Sequence, residues 1–138
     1  MSKTNKTGRN RGSKGADRFF RAERYISETF AWKQLSPIAR AAWFEFGWLY
    51  NGSNNGRLGM SVRQLADKLN VSSKDSASRA IRELVTFGFL EITQAATFCG
   101  ARRTAEYRLT QFNCDKTGEL PSRAFQNIGK RPASPGNG

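Results

Sequence analysis

The sequence predicts an α+β domain that is predominantly helical and carries a β-hairpin near its C-terminal side. Helix-start signals occur at Ser36-Pro37 and again at Ser61, and each precedes apolar residues at helical spacing. Farther along, two short alternating stretches flank a polar loop that contains glycine, a pattern typical of a hairpin. The 138 residues suffice for one such domain with tails.

The N-terminal half of this domain begins with an aromatic segment, residues 17–35. We expect an extended lead-in to about Ile26, followed by a short helix with Ser27 as its N-cap. Ser36-Pro37 then starts a longer helix, because a hydroxyl cap precedes proline at the first helical position. This helix is apolar nearly all round, which predicts burial between other elements, and it ends at Tyr50-Asn51-Gly52. Its aromatic residues, and one just before it, are expected to belong to the core rather than to an exposed base-stacking platform: Trp32, Trp43, Phe44, Phe46 and Trp48.

Two further helices and three strands follow. After the turn sequence GSNNG, residues 57–60 predict a short strand, and Ser61 with Gln64 fits a capping box for a helix that ends at Asn70. Ser72 or Ser73 caps the next helix, over about 73–87, and Gly88 stops it. Residues 89–95 and 106–110 are the predicted hairpin strands.

Both ends of the chain are predicted to be disordered. The arm is residues 1–17, of which the first fifteen contain no aliphatic side chain after Met1. Residues 113–138 hold a single weak element, ELPSRAFQNIG, in which Leu120, Phe125 and Ile128 could form one docking turn or helix. The folded domain is therefore expected to span residues 18–112. The net charge is +12, from 23 basic and 11 acidic residues, and the basic excess persists within residues 18–112. A basic domain with a basic arm indicates a polyanionic partner, most often a nucleic acid.

Several classes of function are disfavoured. The chain has no histidine, its acidic residues are scattered, and GSNNG lacks the Lys-Ser/Thr of a phosphate-binding P-loop, so we expect no enzyme and no cofactor. Cys99 and Cys114 alone cannot make a four-ligand zinc site, and we predict no metal. No run approaches the roughly 20 apolar residues of a membrane span. The N-terminus lacks an apolar signal segment, and we expect a cytoplasmic protein with free thiols.

The stretch "LADKLNVSSKDSASRAIRELVTFGFLEI", followed by "EYRLT", resembles the winged helix-turn-helix family of DNA-binding domains. The wider pattern of residues 31–110 is similar to helix-turn-helix proteins of bacterial mobile elements, including phage and plasmid replication proteins. The resemblance implies a three-helix core with a C-terminal β-hairpin wing. It also implies that helix 73–87 enters the major groove of double-stranded DNA, and that the wing lies along the backbone or in the minor groove.

The residue types on that helix suit the major groove, which is about 12 Å wide. Arg79 and Arg82 are neighbours on its outward face, and arginine can read guanine through two hydrogen bonds. Serine hydroxyls, Lys74 and the helix N-terminus suit phosphate groups. The candidate recognition-helix residues are Ser73, Lys74, Asp75, Ser76, Ser78, Arg79 and Arg82. The other candidate DNA contacts are Arg102 and Arg103 in the wing, Arg57, Ser61 and Arg63 beside the second helix, and Lys3, Lys6, Arg9, Arg11 and Lys14 in the arm.

These features favour a small transcriptional regulator of bacterial or phage type that binds specific DNA sequences. One alternative is a plasmid or phage replication-initiation protein, and another is a winged-helix module that binds and inhibits a host protein. Each basic candidate could also be an ordinary solvated surface charge. The lead-in 19–35 has more apolar residues than a winged helix needs, which suggests a homodimer that reads two half-sites about 34–36 Å, or a multiple of this, apart.

Overall fold

The structure, a computed structural model, describes residues 19–129, and the predicted disordered arm lies outside this range. The described chain is α+β, with short helices, three longer helices and a small antiparallel sheet. No helix among the described residues is long and apolar enough to cross a membrane. In chain order the elements are α1 Arg24–Ser27, α2 Phe30–Gln34, α3 Pro37–Leu49, β1 Leu58–Gly59, α4 Val62–Leu69, α5 Lys74–Thr86, β2 Leu90–Gln94, β3 Glu106–Leu109 and a 3₁₀ helix at Ala124–Asn127.

The predicted caps of the three longer helices are confirmed. The Ser36 Oγ accepts a hydrogen bond from the Ala39 N–H at the start of α3. Ser61 and Gln64 form both hydrogen bonds of a capping box on α4, at 3.0 and 2.9 Å. Ser73 caps α5, which resolves the choice between Ser72 and Ser73. Each such cap stabilises its helix by about 1 kcal/mol, so the starts of α3, α4 and α5 are set locally.

The lead-in corrects two predictions. The chain is helical from Arg24 to Ser27 rather than extended to about Ile26, and Ser27 is not an N-cap. Ser27 ends α1, and the Thr29 side chain instead accepts the Trp32 N–H at 3.1 Å to start α2. The reason is local: Ile26 must turn into the core, where its side chain is buried. A helical turn over 24–27 achieves this, and the chain then needs a new cap after it.

The core lies where α3 packs against α5 and α4, and α4 packs against α5. Trp43 is fully buried at its centre and makes edge contacts with Phe20, Trp32 and Phe44. Small residues on α5, such as Ala77 and Ala80, are also buried and allow the helices to approach closely. The lead-in thus covers the core of its own chain.

The expectation that α3 is buried between other elements is wrong for part of its surface, from its first turn to its C-terminal end. Trp48 is 52% exposed, whereas Trp43 and Phe46 are fully buried. The exposed Ala41 and Ile38 lie on α3 as well. The contacts of α3 with α4, α5 and β1 leave part of its surface uncovered, and this part remains at the protein surface.

The sheet has the strand order β1-β3-β2 and is antiparallel throughout. Tyr107 in the central strand pairs with Leu58 of β1 and with Ile92 of β2. An irregularity between Ile92 and Gln94 shifts the register as β2 leaves the sheet. Residues 95–105, the hairpin loop, connect β2 to β3, as the alternation in the sequence predicted.

Residues 113–129 pack against the rest of the domain, which differs from the mostly disordered tail expected from residue 113. The single weak element expected there is the 3₁₀ helix, whose Phe125 is buried and stacks on Phe89. Two buried polar side chains hold the segment. The Arg108 guanidinium, 2% exposed, donates to the Glu119 carboxylate and to the Phe112 and Leu120 carbonyl oxygens at 3.0–3.1 Å. The Asn55 amide donates to the Asn113 carbonyl at 2.8 Å. The Asn55 bond spans 58 positions, and nothing in the local composition around residue 113 indicates it.

Candidate nucleic-acid interface

Helix α5 presents one buried face and one basic exposed face. Its buried residues include Ala77, Ile81 and Leu84, while Arg79 and Arg82 are exposed on the opposite side. This division follows the 3.6-residue period of the sequence. Lys74, Asp75 and Ser73 are exposed at the N-terminal end, whereas Ser76 and Ser78 are half-buried. The exposed face of α5 is therefore polar, and its two arginines, Arg79 and Arg82, lie on it.

A cleft of about 490 Å³ lies between the hairpin loop and the N-terminal ends of α4 and α5. Its basic lining comes from three separate stretches of the chain: Arg63 on α4, Lys74 on α5, and Arg102 and Arg103 in the loop. Ser61 also lines it. Residues that the sequence suggested for separate reasons thus converge on one surface, next to two capped helix N-termini whose backbone N–H groups favour anions.

The hairpin loop is held in shape by hydrogen bonds between its two sides. Thr97 and Arg103 exchange two backbone hydrogen bonds, at 3.0 and 3.1 Å, and the Thr97 hydroxyl donates to the Ala101 carbonyl. Gly100 adopts a positive φ of 63° at the turn. The loop therefore holds Arg102 and the aromatic ring of Phe98, which is 75% exposed, at its tip.

The electrostatics of the cleft follow from where the acidic residues are used. Glu91 and Glu119 pair with Arg108, and Glu106 pairs with Lys116. Within residues 19–129, by contrast, no ion pair involves the basic residues of α5 or of the cleft, namely Arg63, Lys74, Arg79, Arg82, Arg102 and Arg103. Positive charge is left uncompensated on this side of the domain, which suits a polyanion.

Tyr107 forms part of the cleft wall and connects it to the core. Its ring makes an edge contact with Phe46, with the ring centroids 5.1 Å apart. Burial raises the pKa of the Tyr107 phenol above its ordinary value. The phenol therefore stays neutral at physiological pH and adds no negative charge beside the arginines.

Other candidates lie elsewhere. Arg57 is exposed just before β1 but does not line the cleft, and the exposed Arg79 and Arg82 do not line it either. The arm candidates lie outside the described residues: Lys3, Lys6, Arg9, Arg11 and Lys14.

Sequence reasoning missed two contributors to this surface. Phe98 is a lone aromatic residue in a polar loop, a signal that could have been noticed. Glu83 follows Arg82 in the sequence and has no local signal of a structural role, but its carboxylate accepts the Ser36 N–H at 2.8 Å. This bond connects α5 to the start of α3 and helps to orient α5. Since its partner is 47 positions away, no local pattern could have revealed it.

Comparison of the chain with models of protein families, with curated proteins and with solved structures finds no match. The function of this surface must therefore be inferred from its own geometry and charge.

Proposed function

We propose that this chain is a winged helix-turn-helix protein that binds specific sequences in double-stranded DNA and regulates transcription. The observation that carries the proposal is the convergence of Arg63, Lys74, Arg102 and Arg103 on one cleft beside the exposed basic face of α5. The order α3, β1, α4, α5, β2, β3, with β1 paired to β3, supports the winged-helix assignment. The hairpin loop 95–105 is then the wing.

In this proposal, α5 is the recognition helix. An α-helix fits the major groove, and Arg79 and Arg82 are placed to donate to guanine O6 and N7. Asp75 is exposed in the first turn of α5, where a carboxylate can accept from a cytosine amino group. The N-terminal end of α5, with Lys74, faces the backbone phosphates.

The wing supplies backbone or minor-groove contacts. Arg102 and Arg103 suit the negative potential of a narrow minor groove. Phe98 adds an exposed ring at the wing tip, and apolar side chains can insert between base steps and kink the duplex. The brace between Thr97 and Arg103 limits the conformational entropy that the wing loses on binding.

We retain the homodimer in the proposal, but fewer aromatic residues of the lead-in are exposed for dimer contacts than the sequence suggested. Phe20 and Trp32 pack against Trp43 of the same chain, whereas Phe19 and Phe30 remain exposed. Only these two aromatic residues of the lead-in are thus available to a second copy. Sedimentation that shows only monomer at micromolar concentration, with and without DNA, would remove the dimer.

The experiment is selection from random duplex DNA with the full chain, followed by titration of the selected and random pools across salt concentrations. A specific regulator should bind the selected motif roughly a thousandfold or more tighter than random DNA. Equal, weak and salt-sensitive binding of both pools would reject sequence-specific binding and direct the search to a protein partner. Arg24→Ala is the control for loss of one positive charge outside the cleft, because Arg24 is exposed on α1 and does not line the cleft. This variant should select the same motif as the unaltered chain.

A further inference from the structure

Part of the wall of the basic cleft is apolar, which contact with DNA phosphates does not require. Met60 and Tyr107, both residues of the core, line the cleft together with Val62 and Ala105. The ring of Phe98, which is 75% exposed, lines it from the hairpin loop. Phosphate contacts are made by cations and hydrogen-bond donors. The apolar wall therefore indicates a ligand that also carries an aromatic or apolar group.

The Tyr107 hydroxyl is a polar group in this wall without a partner. Tyr107 is only 6% exposed, and its hydroxyl forms no hydrogen bond with any residue that the structure describes. The hydroxyl oxygen is nevertheless not closed off from solvent. A tyrosine buried to this extent usually finds a partner for its hydroxyl. A ligand in the cleft could supply that partner.

The charged part of the cleft has one sign. Among residues 19–129, four basic side chains line it and no acidic one does: Arg63, Lys74, Arg102 and Arg103. All four are exposed, so they can reach a bound molecule. The volume of about 490 Å³ lies within the roughly 300–1,000 Å³ of sites for small molecules. The cleft thus suits a small ligand that carries several negative charges.

A nucleotide combines the two parts that this cleft suits. Its base can pack on the exposed Phe98 ring, and its phosphates match arginine geometry. We propose that the cleft binds a nucleoside diphosphate, with the base against the apolar wall and the Tyr107 hydroxyl and the phosphates among the four basic residues. Because Arg102 and Arg103 are also the proposed wing contacts, the bound nucleotide should compete with DNA. This competition rests on the proposed function, whereas nucleotide binding itself does not.

The test titrates the full chain with adenosine diphosphate and uridine diphosphate, without divalent cations. Pyrophosphate keeps the two phosphates but lacks the base, and adenosine and uridine keep the base but lack the charge. Two-dimensional amide NMR measures each affinity and locates the shifted residues. We expect at least one nucleoside diphosphate to bind about tenfold or more tightly than pyrophosphate and than its own nucleoside. The shifts should fall on the hairpin loop and on the start of α4.

Tyr107→Phe keeps the ring and removes only the hydroxyl. It should weaken binding of the nucleoside diphosphate about three- to tenfold and leave binding of pyrophosphate unchanged. Tyr25→Phe, which removes a hydroxyl outside the cleft, should change neither. Equal binding of the nucleoside diphosphates and pyrophosphate would show a general anion site only and would overturn the proposal. Absence of saturable shifts, or shifts confined to other surfaces, would overturn it as well.

Displacement of the selected duplex DNA separates this inference from the proposed function. At constant ionic strength, the nucleoside diphosphate should weaken DNA binding more than pyrophosphate does at the same concentration. DNA that stays bound while the nucleotide saturates the cleft would overturn the competition. A chain that binds no DNA at all would refute the proposed function, and the nucleotide titrations would still decide what the cleft binds.

Discussion

Replacing Gly88 with alanine should displace residues 124 and 125 from their site against the end of α5. Gly88 follows α5 and has a φ of 85°, a conformation that is strained for residues with a Cβ atom. A Cβ there would lie 2.6 Å from the Phe125 N and 2.7 Å from the Ala124 C. Both are backbone atoms, so no side-chain rotation can relieve the overlap. The segment that carries Phe125 must move away.

The expected cost has two parts. The positive φ costs roughly 1–2 kcal/mol for an L-residue. Displacement removes Phe125 from a fully buried site where its ring stacks on Phe89 with the centroids 4.9 Å apart. Losing the contacts of a buried phenylalanine costs about 3–5 kcal/mol. The free energy of unfolding should therefore fall by about 4–7 kcal/mol, an upper limit because the chain can relax around the new side chain.

Gly118→Ala is the matched control for backbone strain. Gly118 has nearly the same φ, 83°, but no atom lies within 4 Å of a Cβ built there. Its cost should be only the roughly 1–2 kcal/mol of the conformation.

Urea denaturation of both variants measures the difference in the free energy of unfolding, which should be up to about 3–5 kcal/mol. The urea midpoint of Gly88→Ala should then lie roughly 1 M or more below that of Gly118→Ala. Faster tryptic cleavage after Arg123 should accompany it, because displacement of residues 124 and 125 frees the backbone that follows this already exposed side chain. If the two variants agree within about 1 kcal/mol, the buried contacts of Phe125 do not stabilise the domain as expected.

Three further outcomes are expected. Arg79→Ala or Arg82→Ala should each cost about 1–3 kcal/mol of binding to the selected DNA and relax the base preference at one position, as measured by repeated selection; unchanged preference would contradict the role of α5. Arg102→Ala combined with Arg103→Ala should weaken binding to all sequences alike and flatten the salt dependence by roughly one to two units, and an unchanged slope would contradict contact with the backbone. Burial raises the pKa of the Tyr107 phenol, so the folded state holds the phenol proton more tightly than the unfolded state does. The free energy of unfolding should therefore fall as the pH rises above about 10 towards the folded-state pKa. Melting temperatures measured across this pH range should fall less in Tyr107→Phe than in the unaltered chain.

Local signals in the sequence predicted the parts of the fold that local chemistry determines. The caps at Ser36, Ser61 and Ser73 depend on hydrogen bonds that span two or three residues. The left-handed conformation that ends α4 at Asn70 and the positive φ at Gly88 are equally local. These features were therefore accessible from residue types and spacing alone.

The features that escaped prediction depend on partners far away in the chain. The turn residue Asn55 is fully buried and bonds the Leu109 backbone through both ends of its amide, at 2.7 and 2.9 Å. Arg108 similarly fixes Glu119 and Leu120. In the sequence, Asn55 signals only a turn and Arg108 only an alternating strand. For the candidate site, the basic residues could be named in advance, but their convergence required the fold.

The strand β3 contributes side chains both to the basic cleft and to the contacts with the C-terminal segment. Side chains of consecutive strand residues point to opposite faces. Tyr107 accordingly lines the basic cleft, while the neighbouring Arg108 reaches the C-terminal segment. Because β3 is the central strand, paired with β1 on one side and β2 on the other, the base of the wing is fixed along both edges. The arginines of the wing can therefore be presented at a defined distance from α5 even if residues 124 and 125 are displaced, and a Gly88→Ala protein that remains folded should retain much of its DNA affinity.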